Sequence, residues 1–395
     1  MAEAARPLSG LKVIDLTTTI AGPYCARLLA DAGAEVIKVE SPDGDLTRSR
    51  PPIREGASTS YGGLNAGKRS IVLDLKQEAA VEVVRRLAAG ADVLVENYRP
   101  GVMQRFGLGY EGLLAANPRL VYCAISGFGQ TGPSSQLAAY APAVHAASGF
   151  DLAHMAYQPG RSVPDFCGIY IADVLSGTYA YGAIATALAQ RATTGRGQMI
   201  DVSMLEAMLQ LTLGEVQGAQ FTLPPPPPRH MFGPVATADG YVLPAIASER
   251  TFQNAAKAAG REDWITDPRF EKYPDRRDNW AVLMDEMEEW SRTLPTKAVE
   301  AAFAKSGVPC SAYRTVREAL ADPQLAHRGA LAEVQDAGGR FKVMNPPFRM
   351  TGGAVQVREF AAGLGEHSAA ILAETGYSKS EIAALADSGA VPLAR

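Results

Sequence analysis

Little in this chain ties it to a metal, a nucleic acid or an oxidising compartment. Its four cysteines, Cys25, Cys123, Cys167 and Cys310, are scattered with no CxxC pair, so neither a zinc site nor a disulfide framework is expected. The five histidines are equally dispersed. The formal net charge is −4 and no long basic stripe offsets it, so nucleic-acid binding is not expected. The opening MAEAARPLSG has no basic stretch running into an apolar one. A signal peptide is therefore not expected, and a reducing, cytoplasmic setting fits best. Phosphate-binding fingerprints are missing as well: TTTIAGPYCARLL follows the first strand-like run without a GxGxxG, and no GxxxxGK[ST] occurs.

What is present is an alternation of elements. LKVIDL (11–16), EVIKVE (35–40), SIVLDL (70–75), DVLVEN (92–97) and RLVYCAISGFG (119–129) read as buried strands. Helical patterns at 23–33 and about 77–89 separate them, and GQMIDVSM (197–204) reads as a further strand before an apolar helix running to about 216. Strands spaced by helices predict an α/β fold, a parallel sheet covered on both faces. The texture changes at TLPPPPPRH (222–230), where five consecutive prolines make a stiff connector and a domain boundary. Beyond it, GPVATADGYVLPA and the charged helices NWAVLMDEMEEWSRTL and TKAVEAAFAKSG read as a smaller α+β domain. The expected organisation is a large domain over 1–215, a linker over 216–230, a small domain over 231–330, and 331–395 returning to the large domain with two short helices.

The longest apolar segment, GIYIADVLSGTYAYGAIATALAQR (168–191), carries one charge, Asp173, before its closing Arg191. A buried core helix is expected there rather than a membrane span. A carboxylate in such a helix needs either a partner or a purpose. Helical spacing sets Asp173 beside Ser176, Gly177 and Ala180, small residues that would leave room for a ligand. A carboxylate facing a dry pocket is a nucleophile toward activated acyl groups. The plainer reading is a structural Asp held by backbone donors or an Arg. Cations also gather near strand ends: Lys68, Arg69 and Lys76 around SIVLDL, and Arg99 and Arg105 in ENYRPGVMQRFGLG. Strand ends of open α/β sheets bind ligands, and cations there suit phosphates, although surface charge explains them as simply.

Several stretches resemble family III CoA-transferases, the formyl-CoA and carnitine CoA-transferase group. They are LSGLKVIDLTTTIAGPYCARLLADAGAEVIKVESPDGD, NAGKRSIVLDLK, ADVLVENYRPGVMQRFGLGY, NPRLVYCAISGFGQTGP and ADVLSGTYAYGAIATALAQRATTGRGQMIDVSMLEA. The resemblance is dense from about residue 8 to 208 and looser in CSAYRTVREALADPQLAHRG and GLGEHSAAILAETGYS. It implies a Rossmann-like large domain built from both chain ends, a small inserted domain, and a homodimer of interlocked chains. It implies a transferase that moves CoA between an acyl-CoA and a carboxylic acid, with coenzyme A as substrate and no permanently bound cofactor or metal. Asp173 matches the family's nucleophile. Thr18, Thr19, Ile20 and Ala21 match a loop along the CoA; Asn97, Tyr98, Val102, Arg105 and Phe106 match another segment beside it. Leu73 and Lys76 match the surroundings of the adenosine phosphates, and Tyr140 an active-site tyrosine.

The chain departs from the formyl-CoA enzymes in four places. Ile20 stands where they have glutamine, Ser41 replaces a basic residue, Ala138 replaces a lysine, and their glycine-rich loop is absent before RHMFGPVATADG. These changes argue against oxalate and formate and toward a larger or less charged acyl group. An α-methylacyl-CoA racemase of the same fold is the main alternative. That chemistry uses a His–Asp pair where this chain reads LAAYAPAV, with Tyr140 and Ala141 in the two places and His145 further on as a polar core group. A catalytically weak CoA-binding relative is the third reading.

Overall fold

In a computed structural model, residues 5–158, 160–164, 166–222 and 232–393 are described. The chain divides into two units. The first comprises Met1–Asp151, Phe166–Val216 and Gln324–Arg395; the second comprises Leu152–Asp165 and Gln217–Pro323. The proline run at 224–228 lies outside the described residues.

The first unit is built on six parallel strands: β1 (Lys12–Asp15), β2 (Glu35–Glu40), β3 (Lys68–Val72), β4 (Val93–Glu96), β5 (Val121–Ser126) and β6 (Met199–Ser203). Their spatial order is β3-β2-β1-β4-β5-β6, a doubly wound sheet whose order reverses between β1 and β4. Side chains alternate across it. Val13, Val121, Cys123 and Ile125 join one apolar layer with helix α1 (Ala21–Asp31). Ile14, Tyr122 and Ala124 join the other with helix α2 (Glu78–Ala89). Burial on both faces is why these strands read as continuous apolar runs. Ile371, Leu372 and Leu385, from helices Ser368–Glu374 and Lys379–Asp387, complete the α2 layer, so the last residues share a core with the first.

Further helices follow at α3 (Val102–Arg105), α4 (Ala141–Ala147), α5 (Ile171–Thr194) and α6 (Met204–Leu211). α5 contains the segment expected to be a wholly buried helix, and it is buried along one face only. Ala172, Ser176, Gly177, Ala180, Ile184 and Ala187 pack inward. Val174 and Tyr179, on the other face, are 41% and 47% exposed in the single chain. Among the described residues no helix is long and apolar enough to cross a membrane.

The second unit has a three-stranded antiparallel sheet, with Tyr241–Pro244 between Val235–Ala236 and Cys310–Ala312. Helices Glu249–Ala258, Trp280–Ser291 and Thr296–Ser306 surround a core containing Phe252, Trp264, Phe270, Trp280 and Phe303. The two helices expected from NWAVLMDEMEEWSRTL and TKAVEAAFAKSG form, and Gly307, at φ 73°, ends the second. The hairpin Leu331–Asp336/Gly339–Met344 belongs to the first unit.

Candidate active site

The carboxyl ends of β1, β4 and β5 meet where the strand order reverses, and a cavity of about 250 Å³ opens there. The loop after β1 contributes Thr18, Thr19 and Ala21, the turn after β4 contributes Asn97 and Tyr98, and β5 with the residue after it contributes Ser126 and Gly127. Ala138, Tyr140 and Asp173 complete the part of the wall used below. This is the switch-point crevice in which open α/β sheets bind ligands. A larger cleft among Arg328, Met344, Pro346 and Phe348 holds none of the expected site residues.

The β1 loop is held in an unusual shape. Thr19 has φ 73°, a left-handed conformation that costs a β-branched residue about 1 kcal/mol or more. Asn97 supports it from the turn after β4. Its Oδ1 accepts the Thr18 N–H at 2.9 Å and its Nδ2 donates to the Thr18 carbonyl at 2.9 Å. Asn97 was expected beside CoA, and its side-chain amide is engaged in shaping this loop.

Below the loop lies a buried set of charges. Lys68 Nζ meets Asp15 Oδ2 at 2.8 Å and also donates to the Pro23 carbonyl and Asn65 Oδ1. Lys38 Nζ pairs with Asp45 at 3.0 Å and donates to the Thr17 carbonyl at 2.9 Å. Burial would raise the Asp15 pKa, but the lysines overcome it and hold the carboxyl below its ordinary value. Lys68, grouped from the sequence with phosphate-binding or surface cations, is therefore a structural charge with 1% exposure. Arg69 is spent on Glu35 and Glu374. A second buried acid, one residue before Asn97 and outside the cavity wall, gave no sequence signal. Glu96, at the end of β4, is buried and accepts the Tyr98 N–H at 2.8 Å; burial raises its pKa to about 8, so it is protonated at neutral pH.

Asp173 lies in the first turn of α5 and faces the cavity. Its carboxylate accepts the N–H of Ala21, the first residue of α1, and the charge of Arg50 also favours its ionised form. Burial outweighs both and raises its pKa to about 6. No cation reaches salt-bridge distance of it among the described residues, so it is ionised at neutral pH without direct neutralisation. The small residues next to it serve another purpose than the expected clearance for a ligand. A Cβ on Gly177 would stand 2.5 Å from the Ala21 carbonyl oxygen, and Ser176 and Ala180 are fully buried. They let α5 approach α1, which brings the Ala21 N–H to the carboxylate.

His145 fixes the same turn from α4. It is 2% exposed, and its Nε2 accepts the Ala172 N–H at 3.1 Å. That acceptor must be unprotonated, and burial lowers the His145 pKa accordingly. The sequence placed His145 in the core; its bond to the residue before Asp173 needed the fold.

Other expected contacts lie apart. Ile20 is buried and, like Val102, Arg105 and Phe106, is absent from the cavity wall. Val102 and Arg105 sit on α3, and Phe106 stacks edge-on against Tyr98 at 6.5 Å. Leu73, matched to the surroundings of the adenosine phosphates, turns its side chain away from solvent. It is 1% exposed, packed in the α2 layer, and its N–H donates to the Glu40 carbonyl. Lys76, three residues on, is exposed, and Tyr140 is 67% exposed at the start of α4. Ser126 was not expected; its hydroxyl is buried at the cavity without a hydrogen-bond partner among the described residues. No cluster of three or more metal-binding side chains occurs among the described residues.

Fold and site together define an α/β enzyme with a ligand cavity at the sheet's switch point and one weakly compensated carboxylate inside it. The chain belongs to CoA-transferase family III, which it matches over residues 8–368, and it is a transferase of that family. It is 33% identical over 388 residues to the succinate–glutarate CoA-transferase of Agrobacterium fabrum, covering 93% of this chain and 95% of that one. It is 31% identical to a formyl-CoA:oxalate CoA-transferase of Escherichia coli, covering 98% and 99%. The crystal structure of a CAIB/BAIF family protein from Brucella suis matches with a TM-score of 0.83 at 35% identity, covering 94% of this chain and all of that one.

Proposed function

We propose that the protein transfers CoA from an acyl-CoA to a carboxylic acid with Asp173 as covalent nucleophile. The observation that carries this reading is a half-buried, cavity-facing carboxylate, ionised at neutral pH, with one backbone donor and no touching cation. An Asp oxygen attacks the thioester carbonyl, and collapse of the tetrahedral adduct expels CoA thiolate and leaves a mixed anhydride. The thiolate attacks the aspartyl carbonyl, releasing the donor acid and forming an aspartyl-CoA thioester. The acceptor carboxylate attacks that carbonyl, expels the thiolate and forms a second anhydride. Thiolate attack at the acceptor carbonyl then releases the new acyl-CoA and free Asp173. Overall one CoA thioester is exchanged for another, so the net transfer is near balance although the anhydrides lie higher. The Ala21 N–H, already on the carboxylate, is the donor for the oxyanion that forms at the aspartyl carbon.

The cavity admits the reacting end of a thioester and is too small for a whole coenzyme. The rest of CoA runs outside it, toward Arg105, Phe106 and Lys76. Coenzyme A acts as substrate, with no permanent cofactor. The exposed apolar face of α5 is a surface for the second chain of an interlocked homodimer, and the protein works in the cytoplasm. An isomerase reading lacks a free histidine base, because the buried His145 is engaged with Ala172.

Hydroxylamine trapping tests the reading. Incubation with an acyl-CoA and hydroxylamine converts Asp173 to a hydroxamate, seen by peptide mass spectrometry and absent from Asp173→Asn. Labelling elsewhere, or α-hydrogen exchange with deuterated water in the absence of an acceptor acid, overturns it.

A further inference from the structure

The loop after β1 is clamped at three successive residues by side chains from elsewhere in the same unit. Thr17 offers its carbonyl to Lys38 Nζ, on β2, at 2.9 Å. Thr18 is held at both main-chain groups by the Asn97 amide, each bond 2.9 Å long. Thr19 donates its N–H to Asp45 Oδ1, in the segment after β2, at 3.4 Å. Of these three clamps only Asn97 grips a donor and an acceptor of one residue. Asn97 is itself set in place, because Glu96 closes the turn around it by accepting the Tyr98 N–H at 2.8 Å. A β-branched residue at φ 73° keeps that conformation only where its surroundings over-determine it, and such strain gathers at working sites.

What the clamp achieves lies two residues further on. Thr18, Thr19, Ala21 and Asp173 line one cavity. Ile20, the residue before α1, has no side-chain bond to give the helix start, so the Ala21 N–H is one of the donors that this end leaves without an intrahelical partner. Asp173 takes it from α5. The approach is close: a Cβ on Gly177, one turn beyond Asp173, would meet the Ala21 carbonyl oxygen at 2.5 Å. The direction of the Ala21 N–H follows from the dihedrals of Thr19 and Ile20. A threonine released to negative φ would swing the start of α1 relative to β1 and carry that donor off the carboxylate. We infer that Asn97 is a positioning residue for the reaction: by clamping Thr18 it keeps Thr19 left-handed and so holds the Ala21 N–H on Asp173. The inference rests on the transferase reading, in which that N–H serves the carboxylate before attack and the oxyanion at the aspartyl carbon afterwards. A direct contact with CoA, the role that the family resemblance implies for Asn97, predicts a different set of effects.

The test uses the full-length parent, Asn97→Ala, and Asn97→Ala combined with Thr19→Gly, since glycine adopts positive φ without a clamp. Hydroxamate formation at saturating acyl-CoA gives the acylation rate, and titration calorimetry gives the affinity for CoA. Carbodiimide labelling of Asp173 against pH, read by peptide mass spectrometry, gives its titration midpoint without any acyl transfer. Asn97→Ala is expected to slow acylation roughly tenfold or more, to change CoA affinity less than about threefold, and to move the Asp173 midpoint upward by about half a pH unit or more. The double variant should recover part of the rate and part of the midpoint. Asn97→Ser, too short to bridge both Thr18 groups, gives the same test should Asn97→Ala not fold. A loss of CoA affinity with the saturated rate and the midpoint intact overturns the inference and makes Asn97 a coenzyme contact. A double variant no better than Asn97→Ala overturns it as well, by separating the clamp from the Thr19 conformation. Absence of a hydroxamate from the parent removes the transferase reading, and the carbodiimide midpoints then still decide whether Asn97 holds the donor on Asp173.

Discussion

Asp15 ends β1 and Asp173 begins the α5 segment of the same unit; both are withdrawn from water, and they are treated in opposite ways. Asp15 touches a lysine, accepts the Thr17 N–H at 2.9 Å and is held in the ionised form. Asp173 has one backbone donor and a cation at a distance, and burial raises its pKa to about 6. Burial alone therefore does not decide what a carboxylate does. Close pairing makes it part of the frame, because neutralising or acylating it would strand a buried cation. Loose compensation leaves it able to exchange its charge for a covalent bond.

Replacing each acid by its amide is the strongest way to break the comparison. Asp15→Asn leaves Lys68 buried without its counter-charge and is expected to cost about 3–5 kcal/mol of stability, read from urea unfolding. Asp173→Asn should lose turnover by at least about a thousandfold, or about 4 kcal/mol of barrier, while still binding CoA. Its stability should move the other way. Because the folded pKa of Asp173 lies above its ordinary value, the ionised group costs stability as pH rises from about 4 through about 6. Asp173→Asn should thus be at least as stable as the parent at pH 7, with the difference vanishing at pH 4. Equal stability losses in the two variants would dissolve the contrast.

A smaller effect is expected from His145→Ala, which strips the acceptor from a buried N–H one residue before the nucleophile. It should cost about 1–3 kcal/mol and lower kcat more than it changes KM, with His145→Gln recovering part through its amide oxygen. An unchanged kcat would confine His145 to stability. The mildest test is the pH profile of hydroxamate formation. Acylation needs the carboxylate, so the rate should rise through about pH 6 and level above it, with the midpoint moving upward in Arg50→Met because Arg50 favours the ionised form. A midpoint near 4 would mean that Asp173 is better compensated than its surroundings indicate.

The alternation of strands and helices, the family motifs and the place of Asp173 as the one acid in a helical apolar stretch were all legible in the residues. These depend on local periodicity and on short runs whose chemistry survives without a third dimension. Other readings failed for identifiable reasons. Lys68 looks like a surface cation because nothing in GKRSIVLDLK reveals that Asp15, 53 residues earlier, waits for it. Gly177 looks like clearance because the Ala21 carbonyl it accommodates lies on another helix.

By itself, then, the sequence determined which segments form the sheet and its covering helices, the family, and the one acid in its longest apolar stretch. Only the tertiary structure decided which charges are neutralised and which are left exposed to chemistry. That outcome depends on distances between groups remote in the chain: Lys68 on Asp15, His145 on Ala172, Ala21 and Arg50 around Asp173. Electrostatic compensation falls steeply with separation and with access to water. Composition and order do not specify either quantity before the chain has folded.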